Sequence, residues 1–226
     1  VIETAPVRTI FFDAAGTLLH LKEPVGDSYG RIASLHNLHI SGEVINHSFK
    51  QAWKRLPHPL HETGPAPDDD KSWWKQLVRL TFEDALAKPI DPDILDSLFE
   101  DLYNHFAQAE AWRLYPETQH VLKTLHGRFP LYVLSNFDRR LYNILDGLEI
   151  ASYFQAVILS SETGASKPHP RIFHQALAAA DMLAKNCLHV GDHPECDFAG
   201  ASRAGMQCIL LNRPDNDLSS VLARFA

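Results

Sequence analysis

The sequence predicts an α/β fold: a Rossmann-like core with a parallel sheet, interrupted after its first strand by an all-helical cap. Three observations predict it. Short β-rich apolar runs alternate with helical patterns over residues 7–20 and 113–226, the signature of β-α-β units around a parallel sheet. Residues 22–112 carry helical periodicity and no comparable strand. The apolar runs stop on polar residues, and the carboxyl ends of strands are where open α/β sheets bind ligands.

The expected strands are "TIFFDA", "LYVLSN", "AVILSS", "CLHVGD" and "QCILLN", and the expected helices between them include "ETQHVLKTLHG", "RRLYNILDGL", "PRIFHQALAAADML" and "ECDFAGASRAG". The middle of the chain offers four helices, at about 25–37, 42–56, 70–87 and 92–110. Serine or aspartate stands near several of their starts, and "DPDILDSLFEDLY" sets proline just inside its helix, as helix N-termini favour. Phe49, Ala52, Trp53 and Leu56 follow the i, i+3, i+4, i+7 spacing of a buried stripe. The proline-rich, acidic segment 57–70 reads as a loop. The expected division is therefore a core of residues 1–21 and 113–226 and a cap of residues 22–112, with hinges near 20–24 and 111–117.

Composition narrows the function classes. The 226 residues include 28 acidic and 21 basic side chains, a net charge of −7, which argues against nucleic acid as the partner, since that role favours a basic patch. No apolar run approaches the roughly 18–20 residues of a membrane span. The start "VIETAPVRTI" has neither a basic segment nor a long apolar stretch, unlike a signal peptide. Cys187, Cys196 and Cys208 form no disulfide framework and no paired zinc spacing. A cytoplasmic location is expected.

The chemistry concentrates at strand ends. Asp13 follows "TIFF"; Ser135 and Asn136 follow "LYVL"; Lys167 lies in "GASKPHPRIF"; Asp192 follows "CLHV", with Asp197 five residues on. A parallel sheet brings these ends to one edge, gathering carboxylates, an ammonium, a hydroxyl and an amide. Such a set suits phosphoryl transfer: a carboxylate can attack phosphorus, hard oxygens suit Mg²⁺, and the remaining donors can hold the non-bridging oxygens. Lys50, Lys54 and Arg55 flank the second cap helix as a basic face. Trp53, Trp73 and Trp74 read as cap core. Proline at 57 and 59 argues against His58 and His61 as a metal pair.

"DAAGT", "LSNFD", "SKPHPRIF" and "VGDHPECDFAGASRAGM" resemble the four ordered motifs of the haloacid dehalogenase (HAD) superfamily, and the helical insert resembles its subfamily I cap. The resemblance runs from about residue 8 to 213. It implies a hydrolase in which Asp13 is the nucleophile, becoming an aspartyl-phosphate, and Lys167 neutralises charge between nucleophile and phosphate. It further implies that Asp13, Asp192 and the Ala15 carbonyl surround Mg²⁺ with Asp197 supporting the metal shell, and that Thr17, Ser135 and Asn136 bind substrate. The expected partner is a small phosphorylated molecule and the expected state a monomer or homodimer.

One position departs from the family pattern. Phosphatases of the superfamily carry a second aspartate two residues after the nucleophile, which protonates the leaving alkoxide and then activates water; here that position is Ala15. General acid–base catalysis is worth about 10²–10⁴-fold, so the loss bears on poor leaving groups. Three alternatives to a phosphatase follow. Haloacid dehalogenases expel halide, which needs no proton. Phosphonoacetaldehyde hydrolases resemble "DAAGT" closely and use a cap lysine, for which Lys54 stands 41 residues after Asp13. A catalytically weak phospho-ligand-binding protein is the third.

Overall fold

The computed structural model describes residues 5–225. In chain order the elements are β1 (Thr9–Phe12), β2 (Leu19–Leu21), α1 (Val25–Leu35), α2 (Gly42–Arg55), α3 (Lys71–Leu86), α4 (Pro92–His105), β3 (Trp112–Leu114), α5 (Thr118–His126), β4 (Leu131–Ser135) and α6 (Arg140–Gly147). β5 (Ala156–Leu159), α7 (Ser160–Thr163), α8 (Pro170–Ala180), β6 (Cys187–Gly191), α9 (Gly200–Arg203), β7 (Gln207–Leu210) and α10 (Ser220–Ala223) follow.

The main sheet is parallel, in the order β5-β4-β1-β6-β7. β1 is central and buried along its whole length, which is why it reads as an unbroken apolar run. Successive side chains still point to opposite faces. Ile10, Phe12 and Val133 pack on α5 and α6 through Val121, Leu125, Leu141 and Ile144. Phe11, Tyr132 and Leu134 pack on α8 through Ile172 and Phe173. The strand order turns at β1, between β4 and β6, so the polar residues after these three strands meet in one crevice.

α1 to α4 have a hydrophobic core of their own, centred on Tyr29, Ile45, Phe82, Leu98, Phe99 and Leu102. Ser41 caps α2 by accepting from the Val44 amide, and Asp91 caps α4 by accepting from Asp93 and Ile94, with Pro92 in the first turn. Two expectations shift. The fourth helix ends at His105, short of residue 110. The stripe of α2 is also offset: Ile45, Ser48 and Ala52 are its buried side, whereas Trp53 is 38% exposed.

Two connections join the helical layer to the sheet. The expected hinge segments lie side by side as an antiparallel pair, Leu19↔Leu114, His20↔Arg113 and Leu21↔Trp112. The loop 57–70 is a loop as expected, yet it is laid down on the core: His61 N donates to Gly164 O at 2.8 Å and Ala66 N to Ser161 O at 2.7 Å. Arg171 pins it by donating to the carbonyls of His61 and Glu62. Among the described residues no helix is long and apolar enough to cross a membrane.

Candidate active site

Asp13 extends one residue beyond β1 and sits at the floor of a cavity of about 670 Å³ between sheet and helical layer. The residue is 7% exposed. Oδ1 accepts from Lys167 Nζ at 2.7 Å and from Ser135 Oγ at 3.0 Å. Oδ2 has no hydrogen-bond donor among the described residues. Burial pushes the carboxyl up to about 6, against the pull of Lys167.

Lys167 comes from the loop between α7 and α8 and is 1% exposed. Its three N–H groups are all taken: by Asp13 Oδ1, by Asp197 Oδ1 at 2.5 Å and by the Leu134 carbonyl at 2.9 Å. Burial alone would lower its pKa, but the two carboxylates outweigh it and hold the ammonium firmly charged. Asn136, just past β4, secures the lysine's backbone: its Oδ1 accepts from Lys167 N at 2.6 Å and its Nδ2 donates to Lys167 O at 2.9 Å.

Asp197 closes the cluster from below. Besides Lys167 it accepts from His189 Nε2 at 3.0 Å and from His193 N at 2.9 Å. Burial opposes its charge, yet Lys167 and His189 hold its carboxyl well below the usual range. The segment carrying it, expected as an α-helix, opens with a π-helical turn over Pro194–Ala199, a wider winding that recurs at functional sites. Asp192, at the end of β6, is exposed to the cavity, and Thr17 Oγ1 approaches its Oδ1 at 3.5 Å. Two glycines make these approaches possible. A Cβ on Gly16 (φ +95°) would lie 2.4 Å from Asp192 Oδ2, and one on Gly191 would lie 2.2 Å from Asp197 Cγ.

Oxygens of Asp13, Asp192 and Asp197 lie within 4.8 Å of one another. Both oxygens of Asp197 are occupied by His189, His193 and Lys167, whereas Asp13 Oδ2 and Asp192 Oδ2 are unengaged among the described residues. Two carboxylates with room for water fit Mg²⁺, which keeps several waters and takes one or two carboxylates.

The structure thus gathers Asp13, Ser135, Asn136, Lys167, Asp192 and Asp197. Thr17 stands behind Asp192, and Ala15 lines the cavity. Lys54 ends on the opposite wall, in α2. Three features were not anticipated. His189 lies mid-strand, where alternation alone marks it as inward. Arg140 is clamped bidentately by buried Asp138, at 2.8 and 2.6 Å. Trp53, Trp73 and Trp74 line the cavity; Trp74 also packs against the core of the helical layer as expected, whereas Trp53 lies off the buried Ile45–Ala52 side of α2.

Parallel sheet, helical layer and a polar floor at the switch point define the class: a hydrolase with a Rossmann-like core and a helical insert. The chain belongs to the haloacid dehalogenase-like hydrolase family, whose model matches residues 7–205. It is 35% identical over 212 residues to haloacid dehalogenase-like hydrolase domain-containing protein 3 of Danio rerio, covering 93% of this chain and 87% of that one. Its fold is similar to that of the HAD-hydrolase YfnB of Bacillus subtilis, solved bound to magnesium (TM-score 0.71, 17% identity, 97% and 99% coverage). It is also similar to the 2-haloacid dehalogenase of Pseudomonas syringae (TM-score 0.62, 24% identity, 97% and 100% coverage).

Proposed function

We propose that the chain is a cytoplasmic, Mg²⁺-dependent phosphoryl-transfer hydrolase that works through an aspartyl-phosphate on Asp13 and acts on a small phosphorylated molecule. The observation that carries this reading is the buried Lys167 ammonium held against Asp13 at the cavity floor. Oδ1 of Asp13 is fixed by Lys167 and Ser135 and is the oxygen that would turn to the metal, which leaves Oδ2 to attack phosphorus. Lys167, with the Ser135 hydroxyl, offsets the charge of the transferring group. Asn136 acts through Lys167, whose backbone it grips, and Thr17 orients Asp192. Asp13, Asp192 and the Ala15 carbonyl would hold Mg²⁺, with Asp197 supporting from behind. When bound, the metal supplies charge neutralisation at the phosphoryl oxygens. Lys54, exposed on the cavity wall, is placed to meet an anionic substrate.

Residues 22–112 serve as a cap on a core of residues 1–21 and 113–226, and the paired strands β2 and β3 are the joint about which it closes. Closure excludes water from the aspartyl-phosphate until release.

The deciding experiment is hydrolysis of acetyl phosphate with Mg²⁺. Turnover abolished by Asp13→Asn, with a phosphorylated protein trapped on acid quench, supports the reading; halide release from a 2-haloacid without Mg²⁺ would replace it. A second reading has one observation in its favour, since Lys54 and Asp13 line the same cavity. Cleavage of phosphonoacetaldehyde that Lys54→Ala abolishes would establish it.

A further inference from the structure

We propose that the cavity selects phosphate monoesters of planar, apolar phenols, with the leaving ring held against the aromatic wall that α2 and α3 contribute. The proposal rests on the phosphoryl-transfer reading above and names its substrate class.

The first observation is the wall. All four tryptophans of the chain, Trp53, Trp73, Trp74 and Trp112, line the cavity. Three of them are locked edge to face: Trp53 and Trp73 lie 5.4 Å apart at 86°, Trp73 and Trp74 5.0 Å apart at 86°. Such pairs hold their geometry, so the faces are set before a ligand arrives. Phe49 stacks on Trp53 at 5.9 Å and 28° and extends the surface.

The second observation is that the cavity lining is predominantly apolar, with Lys50, Lys54 and His58 as the charged or imidazole groups that α2 and the segment after it add. Trp73 Nε1 donates to the Pro57 carbonyl at 2.7 Å and Trp112 Nε1 to the Phe106 carbonyl at 3.1 Å, so two of the four indole N–H groups are already spent. Arg140 is closed to a second anion: Asp138 takes its guanidinium bidentately, and the rings of Tyr103 and Trp74 cover it at 3.9 and 4.9 Å. A sugar placed there would find few partners for its several hydroxyls, and each one buried without a partner is costly. A planar apolar ring meets matching faces.

The third observation is Ala15. The residue two past Asp13, which lines the same cavity, is an alanine, and its methyl group offers the leaving oxygen no proton. A phenol, with a pKa of about 10, departs as its own anion far more readily than an alcohol, whose pKa lies near that of water at about 15.7. In the first step Asp13 Oδ2 forms a bond to phosphorus while the P–O(aryl) bond breaks. Its electron pair leaves on the phenolate oxygen, which takes a proton from solvent. In the second step water adds to phosphorus, the P–O(Asp13) bond breaks, and inorganic phosphate and a proton are released.

The experiment uses the full chain with Mg²⁺ and four substrates: acetyl, phenyl and 1-naphthyl phosphate, and glucose 6-phosphate. Acetyl phosphate is too small to use the wall and reports phosphoryl transfer alone. Expected is a higher kcat/KM for 1-naphthyl than for phenyl phosphate, two leaving groups of similar acidity, with glucose 6-phosphate the poorest. In Trp53→Ala the ratio of 1-naphthyl to acetyl kcat/KM should fall about tenfold, or about 1.4 kcal/mol, with Trp53→Phe restoring most of it. Equal rates on phenyl and 1-naphthyl phosphate, or a preference for glucose 6-phosphate, would overturn the proposal while leaving phosphoryl transfer standing. If acetyl phosphate is not turned over, the phosphoryl-transfer reading fails and binding decides for the wall. A saturable change in tryptophan emission with 1-naphthyl phosphate, absent with glucose 6-phosphate, supports the wall; no saturable change overturns it.

Discussion

Asn136 grips Lys167 from both sides of one residue, accepting its backbone N–H at 2.6 Å and donating to its carbonyl at 2.9 Å. The two residues are 31 apart in sequence, yet this pair of bonds decides where the ammonium stands. Asn136→Ala should therefore lower kcat on acetyl phosphate by about 10²-fold, the scale of a misplacement near 1 Å, with a smaller change in KM. It should also destabilise the fold by about 1–3 kcal/mol for each backbone group left buried and unpaired. Steady-state kinetics and urea unfolding check the two effects separately.

Ala15 carries a prediction of opposite sign. Ala15→Asp places a carboxyl group beside Asp13 on the cavity side, where it can protonate a leaving alkoxide. Turnover of an alkyl phosphate such as glycerol phosphate should rise by about 10²-fold or more, within the usual worth of a general acid, while acetyl phosphate changes little. If the alkyl rate stays flat, the missing proton is not what limits the protein.

How much of this site could be read beforehand depends on the kind of contact. Asp13, Ser135, Asn136 and Asp192 were legible because each ends an apolar run, and a parallel sheet with β1 at its centre brings such ends together. Lys167 was legible as a position but not as a buried group, since its burial comes from Asp13, Asp197 and the Leu134 carbonyl closing on it. His189 was legible only as an inward position, since it sits inside an apolar run, and only the π-helical turn that carries Asp197 gives it a partner. Trp53 misled for a related reason. Helical spacing marks an apolar stripe, but α2 carries adjacent stripes, and only packing against α1 and α3 decides that Ile45 and Ala52 go inward and Trp53 to the cavity. The docking of 57–70 leaves no trace in sequence at all, because its partners Ser161, Gly164 and Arg171 lie about a hundred residues away.

Asp192 is the carboxylate most open to the cavity, and its Oδ2 has no partner among the described residues, so its charge should be felt chiefly through the metal. Adding Mg²⁺ should raise the unfolding temperature, since a ligand bound only by the native state stabilises it by mass action. Asp192→Asn should weaken the apparent Mg²⁺ affinity at least about tenfold, the lower end of what a disturbed metal shell costs, and flatten that thermal response. Calorimetric titration with Mg²⁺ measures the affinity directly. Equal affinities in the parent and variant would remove Asp192 from the metal site.

Gly164 tests whether the 57–70 segment holds the cap down. Its φ is +72°, a conformation that costs other residues about 1–2 kcal/mol, and a Cβ there would lie 1.7 Å from the Gly64 carbonyl oxygen. Gly164→Ala therefore cannot keep both its own backbone and the docked loop. The bonds from His61 to Gly164 and from Ala66 to Ser161 should break together, along with the Arg171 contacts to His61 and Glu62. The loop should become a site of rapid proteolytic cleavage, which limited proteolysis followed by mass spectrometry will locate within 57–70. Arg171→Ala removes the pin without touching the backbone and should give the same cleavage, more slowly. Among the described residues Asp13, Lys167 and Asp197 make no hydrogen bond to this loop, so the chemical step, read by single-turnover phosphorylation, should survive in both variants. What should change is protection of the intermediate: with the cap less firmly held, water reaches the aspartyl-phosphate sooner, and its lifetime after acetyl phosphate addition should shorten. An unchanged lifetime alongside rapid cleavage would mean that the strap fixes the loop alone and that β2 and β3 govern closure by themselves.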